Sequence, residues 1–320
     1  MIYLSIIIPV FNVEEYIGEC IDSCLHQDIP GNEYEIILVD DSSSDKSIEV
    51  ARKIYNSYPE EARPELRVIS SGSATSRGAA AARNIGLPAA QGEYIWFVDS
   101  DDKIEKNCLS QLMEQVIRDK LDILRFGYKL LFDDNRTEEH INGATSVLQG
   151  KKLYAKFPHP VAVWSFIFRK SFLLDNSISF IEGYMFEDQD YSPRVHWYAE
   201  RAKMASASFY YYRQRQGSVM KSNASRFKVE SALAVCESLY SFGESHKDEV
   251  LYPVMSRQIA FMFSNALNIN SQCKDAISLD RFGECHCYPL QGVSGVKYWL
   301  INFSLSISSL LCRIRHCWQS

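Results

Sequence analysis

The chain has no excess of positive charge: 34 Lys and Arg stand against 40 Asp and Glu over 320 residues, a net charge of −6. Nucleic acid as a partner would need a basic footprint, so it is excluded as the main one. No basic segment, apolar core and cleavage site open the sequence; Met1-Ile2-Tyr3-Leu4 runs straight into a strand pattern. The active part is therefore expected to be cytoplasmic. The nine cysteines include no zinc-type arrangement. Cys20 and Cys24 share a helix face, and Cys285-His286-Cys287 is too tight for usual ligand spacing. They read as reduced thiols in a reducing compartment. Internal repeats and low-complexity segments are lacking too. What is present is an apolar share of 46% and a charged share of 23%, ordinary for a globular protein. The length suits one sizeable domain with an appendage, or two modest domains.

The first half alternates strand and helix patterns. Ser5-Ile6-Ile7-Ile8-Pro9-Val10 is a β-branched run of the kind covered on both faces. Asn12 is placed to cap a helix whose buried face is Ile17, Cys20, Ile21, Cys24 and Leu25. A second strand spans Tyr34 to Val39, and Ser44 or Asp45 caps a helix packed through Ile48, Ala51, Ile54 and Tyr55. Arg67 to Ser70 is a third strand, followed by a Gly- and Ala-rich helix from Gly78 that stops near Pro88. Tyr94 to Val98 is the fourth, and Leu109, Leu112, Met113, Val116 and Ile117 mark the next helix. This alternation predicts an α/β fold with a parallel, doubly wound sheet. Beyond about residue 222 long helical periodicity takes over.

Asp99-Ser100-Asp101-Asp102 carries the most information. It leaves the end of the fourth strand, where ligands sit in open α/β sheets. Carboxylates this close raise one another's pKa unless a cation or donors compensate. Mg²⁺ and Mn²⁺ take such oxygens, often with substrate phosphates. An acidic turn capping the next helix is the competing reading.

The runs Ser5-Ile6-Ile7-Ile8-Pro9-Val10-Phe11-Asn12 and Val39-Asp40-Asp41-Ser42-Ser43-Ser44-Asp45 resemble the nucleotide-binding elements of family 2 glycosyltransferases. Ala82-Arg83-Asn84-Ile85-Gly86 and the stretch from Gly92 to Asp102 resemble further elements of that family. The resemblance covers residues 3–130 strongly and continues more weakly to about 222. It implies a GT-A (Rossmann-like) fold with a mostly parallel central sheet, and inverting transfer from a nucleotide-diphosphate sugar. The donor-binding set it implies includes Pro9, Phe11, Asn12, Asp41, Asp99, Ser100 and Asp101. Phe11 suits stacking on a base, or a place in the core. Asp41 suits a hydrogen bond from a uracil ring N–H, which favours a UDP-sugar, or a turn. Arg77 and Arg83 precede the acidic strand and could meet a diphosphate, although Arg83 could instead brace a buried carboxylate. The resemblance makes Asp101 the first metal ligand, with Asp99 nearer the ribose, for Mn²⁺ or Mg²⁺.

Inversion needs a base to take the acceptor proton. The Glu187-Asp188 pair matches the family's acidic pair, and Asp188 is the implied base; read without the family, Glu187 to Asp190 is a solvated helix start. The segment from Trp164 to Leu173 resembles the acceptor side. Here Ser165-Phe166 stands where many relatives have a small polar residue followed by Lys. The segment from Tyr210 to Ser218 resembles the end of the catalytic region, and Arg213 or Arg215 could reach the diphosphate or form a cationic edge strand.

The expected organisation is a catalytic domain over 1–221, with its donor half at about 1–130 and its acceptor half at about 131–221, then a helical region over 222–320. Residues 296–320 place Leu300, Phe303, Ile307, Leu310, Leu311, Ile314 and Trp318 on one helical face. The stretch is too short and too rich in Ser and Asn to span a bilayer. It reads as an interfacial helix in peripheral contact with the inner membrane surface, or as a helix docked on the core. The acceptor expected is a glycan or lipid-linked glycan. Two other readings stand beside transfer. A sugar nucleotidyltransferase usually opens with a Gly-rich phosphate loop, where this chain has Pro9-Val10-Phe11-Asn12. An inactive carbohydrate-binding scaffold would have no need to keep Asp99, Asp101 and Asp188 together.

Overall fold

Every residue of β1 (Leu4–Val10) is buried, as a β-branched run covered on both faces requires. The computed structural model describes residues 1–158, 162–215, 223–288, 290–291, 294–306, 308–309 and 311–312. After β1 come α1 (Ile17–Leu25), β2 (Tyr34–Asp40), α2 (Ser47–Asn56), β3 (Glu65–Ser70), α3 (Ala79–Ala89), β4 (Tyr94–Phe97), β5 (Lys103–Ile104) and α4 (Leu109–Arg118). The chain continues through β6 (Ile123–Phe132), β7 (Thr137–His140), α5 (Gly150–Lys156), β8 (Phe166–Arg169), α6 (Lys170–Asp175), α7 (Glu187–Tyr198) and β9 (Ala202–Gln214). Beyond β9 lie α8 (Arg226–Ser245), α9 (Tyr252–Gln272), α10 (Leu279–Gly283) and α11 (Val296–Phe303).

The strands form one sheet in the order β3-β2-β1-β4-β8-β6-β9-β5, with β7 paired to β6. The run β3-β2-β1-β4 is parallel, as strand–helix alternation dictates. β8 then enters antiparallel between β4 and β6. Pro9 sits in a central strand without breaking the ladder. Ile7 O accepts from Val98 N and Val10 O from Asp41 N, so odd-numbered positions of β1 face β4. The β1–β4 pairing ends at Ile7, and the N–H that Pro9 lacks would find no partner there. One apolar layer joins α1, α2 and α4 to the sheet, and a second joins α3, α6 and α7 to its other face. Close approach of α3 needs Gly86, where a Cβ would lie 2.5 Å from Ile7 Cγ2. A third cluster holds α8, α9 and α10 together, with Ile301 of α11 inserted into it.

Four local expectations change. Asn12 does not cap α1: the helix starts at Ile17, and Asn12 adopts a φ of 49°. Its Oδ1 accepts from Ser44 N at 2.8 Å instead, tying the loop after β1 to the loop after β2. Ile117 lies on the solvent side of α4, 43% exposed. The start of α7 is not a solvated turn, because Asp190 is buried and paired with Arg194. Residues 296–320 are not one helix: α11 ends at Phe303, and Ser304 is extended, with φ −160° and ψ 114°. Ile307, Leu310, Ile314 and Trp318 of the expected stripe lie outside the described residues. Among the described residues no helix is long and apolar enough to cross a membrane. The eight described cysteines are all free thiols.

Candidate active site

The loops after β1, β2 and β4 emerge at the carboxyl ends of three adjacent parallel strands. Phe11, just past β1, is 45% exposed, so it is a surface aromatic rather than a core one. Asp41, just past β2, is buried. Its Oδ2 accepts from Ser76 Oγ at 2.6 Å, Arg77 N at 2.8 Å and Gly78 N at 2.7 Å. Gly78 has a φ of 89°, the left-handed backbone that glycine adopts without strain, and this turn aims its N–H at Asp41. Asp41 Oδ1 is buried with no hydrogen-bond partner among the described residues. A buried carboxylate oxygen left in this way is costly unless a ligand donor meets it. Pro9 is buried in β1, so the backbone there is shaped rather than offered as a side chain.

The three carboxylates after β4 do different work. Asp102 is buried and accepts from Tyr210 Oη at 2.7 Å and Arg213 N at 2.7 Å, which fastens the turn to β9. Burial, together with Asp101 and Asp99, holds its proton far above the usual carboxylate range. Asp99 Oδ1 accepts from Arg83 Nη2 at 2.7 Å. Asp101 Oδ2 accepts from Arg215 Nε at 2.7 Å. Burial and Asp99 raise the Asp101 pKa, and Arg215 opposes the shift. Ser100 between them is buried.

At the start of α7, Asp188 Oδ2 accepts from Val163 N at 3.2 Å, and Oδ1 is buried without a partner among the described residues. Burial and the neighbouring Glu187 push the Asp188 pKa up to about 8, against the pull of Arg83. A carboxyl poised near neutrality is suited to accept a proton.

The arginines depart most from expectation. Arg83 is buried and makes the bracing contacts left open above: Nη2 donates to Asp99 Oδ1 and Nη1 to Glu187 Oε1, each at 2.7 Å. It clasps the acidic turn after β4 to the acidic start of α7. Burial disfavours its charge, and the carboxylates more than offset that, so it stays a cation. Arg77 is exposed and pairs with Glu182 at 2.7 Å. Arg213 donates from Nε to Asp101 O at 2.9 Å and from Nη2 to Glu19 at 3.0 Å. Arg215, rather than Arg213, holds the acidic motif's side chain. Both guanidinium groups lie over the Tyr16 ring, at 5.3 and 5.1 Å, and neither sits on a cationic edge facing solvent. Sequence reasoning missed Glu187 as the partner of Arg83, Tyr210 as the anchor of Asp102, and Ser76 as a support for Asp41.

The carboxylates fit a divalent cation. Asp99 and Asp101 are each about a quarter exposed, and each keeps one oxygen outside its arginine pairing. Mg²⁺ and Mn²⁺ bind through one or two carboxylates plus substrate phosphates. Among the described residues no group of three or more acidic, His or Cys side chains forms a cage.

The profile described as Glycosyl transferase family 2 matches residues 5–173. The chain belongs to that family. Its relatives include the poly(ribitol-phosphate) beta-N-acetylglucosaminyltransferase TarS of Staphylococcus aureus, 29% identical over 290 residues, covering 86% of this chain and 47% of TarS. Another is the uncharacterized glycosyltransferase EpsJ of Bacillus subtilis, 34% identical over 68% of this chain and 62% of EpsJ. The chain thus spans about half the length of the first of these curated relatives. Among solved structures, S. aureus TarS 1-349 in complex with UDP-GlcNAc superposes with a TM-score of 0.64 at 21% identity, covering 98% of this chain and 89% of that one. A mannosyltransferase of Pyrobaculum calidifontis, in complex with GDP-Man and Mn²⁺, superposes at 0.54 and 15% identity, covering 97% and 86%. The family 2 fold, with its curled α/β sheet and flanking helices, is the one described above.

Proposed function

We propose that this chain is an inverting, metal-dependent glycosyltransferase that moves a sugar from a UDP-sugar to a hydroxyl of a glycan or lipid-linked glycan. The observation that carries the reading is the Arg83 clasp. One buried guanidinium ties Asp99, beside the candidate metal ligand Asp101, to Glu187, beside the candidate base Asp188. Donor and acceptor chemistry are thereby held in one frame. The Asp41 Oδ1 atom takes the uracil ring N–H, and Phe11 offers its exposed face to the base. Asp101 and Asp99 would hold Mn²⁺ or Mg²⁺, which supplies charge stabilisation for the leaving diphosphate. Asp188 takes the proton of the acceptor hydroxyl as that oxygen bonds to the anomeric carbon. The bond from that carbon to the diphosphate breaks on the opposite face, and UDP leaves with the electron pair.

Membership of family 2 and the polysaccharide-building names of the relatives support this class of acceptor. We place the enzyme at the cytoplasmic face of the membrane, in surface polysaccharide synthesis, with 1–221 as the catalytic domain. The test is a panel of UDP-, GDP- and dTDP-sugars with Mn²⁺, read as release of free nucleoside diphosphate. Release from a UDP-sugar that stops in EDTA is expected. Release unaffected by chelator overturns the metal role, and no release from any donor favours the scaffold reading.

A further inference from the structure

The first turn of α7 carries the proposed base, yet the helix itself holds that turn weakly. Among the described residues no side chain caps it. Phe186, which precedes it, adopts a φ of 66°, a left-handed backbone that a phenylalanine keeps only where its surroundings fix it. Pro193 lies inside the helix and has no N–H to give the Gln189 carbonyl one turn earlier. The turn that presents Asp188 therefore depends on contacts from outside the helix.

Some of these contacts come from the sheet side. Arg83 pairs with Glu187, Asp188 Oδ2 accepts from Val163 N, and Tyr191 and Val195 pack into the layer that joins α7 to the sheet. The others come from the C-terminal helices. Phe186 and Trp197 pack against the apolar cluster of α8, α9 and α10. Gln258 of α9 is 3% exposed, and its Nε2 donates to Gln189 Oε1. Successive helix residues point about 100° apart, so a hold on Gln189 fixes the rotation at which its neighbour Asp188 leaves the helix. A buried amide adds little net stability over an apolar side chain, because its bond replaces one to water. What a satisfied buried amide does add is a single defined arrangement of the elements it joins.

We propose that Gln258 is a positioning residue for the transfer reaction: through Gln189 it sets the direction in which Asp188 meets the acceptor hydroxyl. The catalytic domain supplies the reacting groups, and a helix beyond it steadies one of them. This rests on the reading of Asp188 as the base, so the test includes a readout that needs no turnover. In the full chain with isotope-labelled aspartate, the Asp188 carboxyl resonance, identified by its loss in Asp188→Asn, is titrated by NMR. UDP affinity and kcat for the UDP-sugar are measured beside it. Burial, Glu187 and Asp99 raise the Asp188 pKa, and Arg83 opposes them. Gln258→Leu frees the turn and lets water in, so the carboxyl should titrate about one pH unit lower or more. Misplacement of the base should lower kcat about tenfold or more, with UDP affinity changed less than about twofold. Gln258→Glu can pair with the Gln189 amide in either protonation state, and should recover kcat to within about threefold of wild type. If the leucine variant fails to fold, Gln189→Ala cuts the same bond at a half-buried position with a good helix former, and should reproduce both changes. An unmoved carboxyl titration in the folded variant overturns the proposal. So does a joint fall of kcat and UDP affinity, which marks a general loss of structure. Wild-type turnover in Asp188→Asn overturns the base reading and this proposal with it, whereas an unmoved titration beside an inactive Asp188→Asn overturns this proposal alone.

Discussion

At the scale of single residues, the proposed base Asp188 makes the sharpest prediction. Its pKa near 8 leaves it protonated at lower pH, so turnover should fall as pH drops through that value. Asp188→Asn keeps the shape and removes the basicity; turnover should drop by about 10²-fold or more, and the remainder should lose this pH dependence. Stability carries the opposite sign. A carboxyl whose folded pKa lies above its unfolded value of about 4 contributes stability that is present below that value and lost as pH rises toward 8. Without donor, Asp188→Asn should therefore melt higher than wild type at pH 8.5, and the gap should close by pH 4. Equal melting temperatures across that range would place the raised pKa elsewhere. Arg215 supports a second prediction: it occupies one oxygen of Asp101, so Arg215→Gln should tighten Mn²⁺ binding by about three- to tenfold in calorimetry. Unchanged affinity removes it from competition with the metal. The acidic residues were legible because their motifs are local in sequence. The choice between Arg213 and Arg215 was not, because Arg213 near the end of β9 and Arg215 just past it differ only in what the fold puts opposite them.

At the scale of elements, the parallel strands were legible from their apolar runs, and α1, α2 and α4 from 3.6-residue spacing. Asn12 shows where this runs out. A cap reading assumes that Asn bonds its own helix, whereas here a side chain and a backbone amide thirty-two positions apart meet across two loops. The antiparallel β8 was equally silent, since Phe166-Ile167-Phe168 looks the same in either direction. Arg83 on α3 joins elements that no local pattern connects. Removing one partner of a buried ion pair costs about 3–5 kcal/mol. Asp99 and Glu187 keep some solvent contact, at 28% and 19% exposure, so Arg83→Met should cost somewhat less, about 2–4 kcal/mol in urea unfolding. Arg83→Lys keeps the charge but not the fork, and should retain part of the stability while losing turnover. A methionine variant as stable as wild type would show that the clasp is not what holds the two acidic segments together.

At the scale of the whole molecule, the question is how the reaction centre reaches its acceptor. The C-terminal helices pack through their own apolar cluster, and α11 joins it through Ile301, 2% exposed. On the other side of the same helix Trp299 and Phe303 are 61% and 66% exposed and stack at 5.2 Å. The inner residue is core, as the docked reading expects, and the outer pair is exposed, as the interfacial reading requires. Aromatic rings at the headgroup boundary, with Lys297 beside them, suit reversible attachment to anionic lipid. The full chain should sediment with anionic liposomes. Trp299→Ser with Phe303→Ser should abolish sedimentation with little change in melting temperature, because neither ring is buried. Ile301→Ala should instead cost about 2–5 kcal/mol of stability, as large-to-small changes in a core do. If the double serine variant still sediments, α11 is not the membrane contact. If it unfolds, the exposed pair belongs to the protein's own packing and the membrane reading fails.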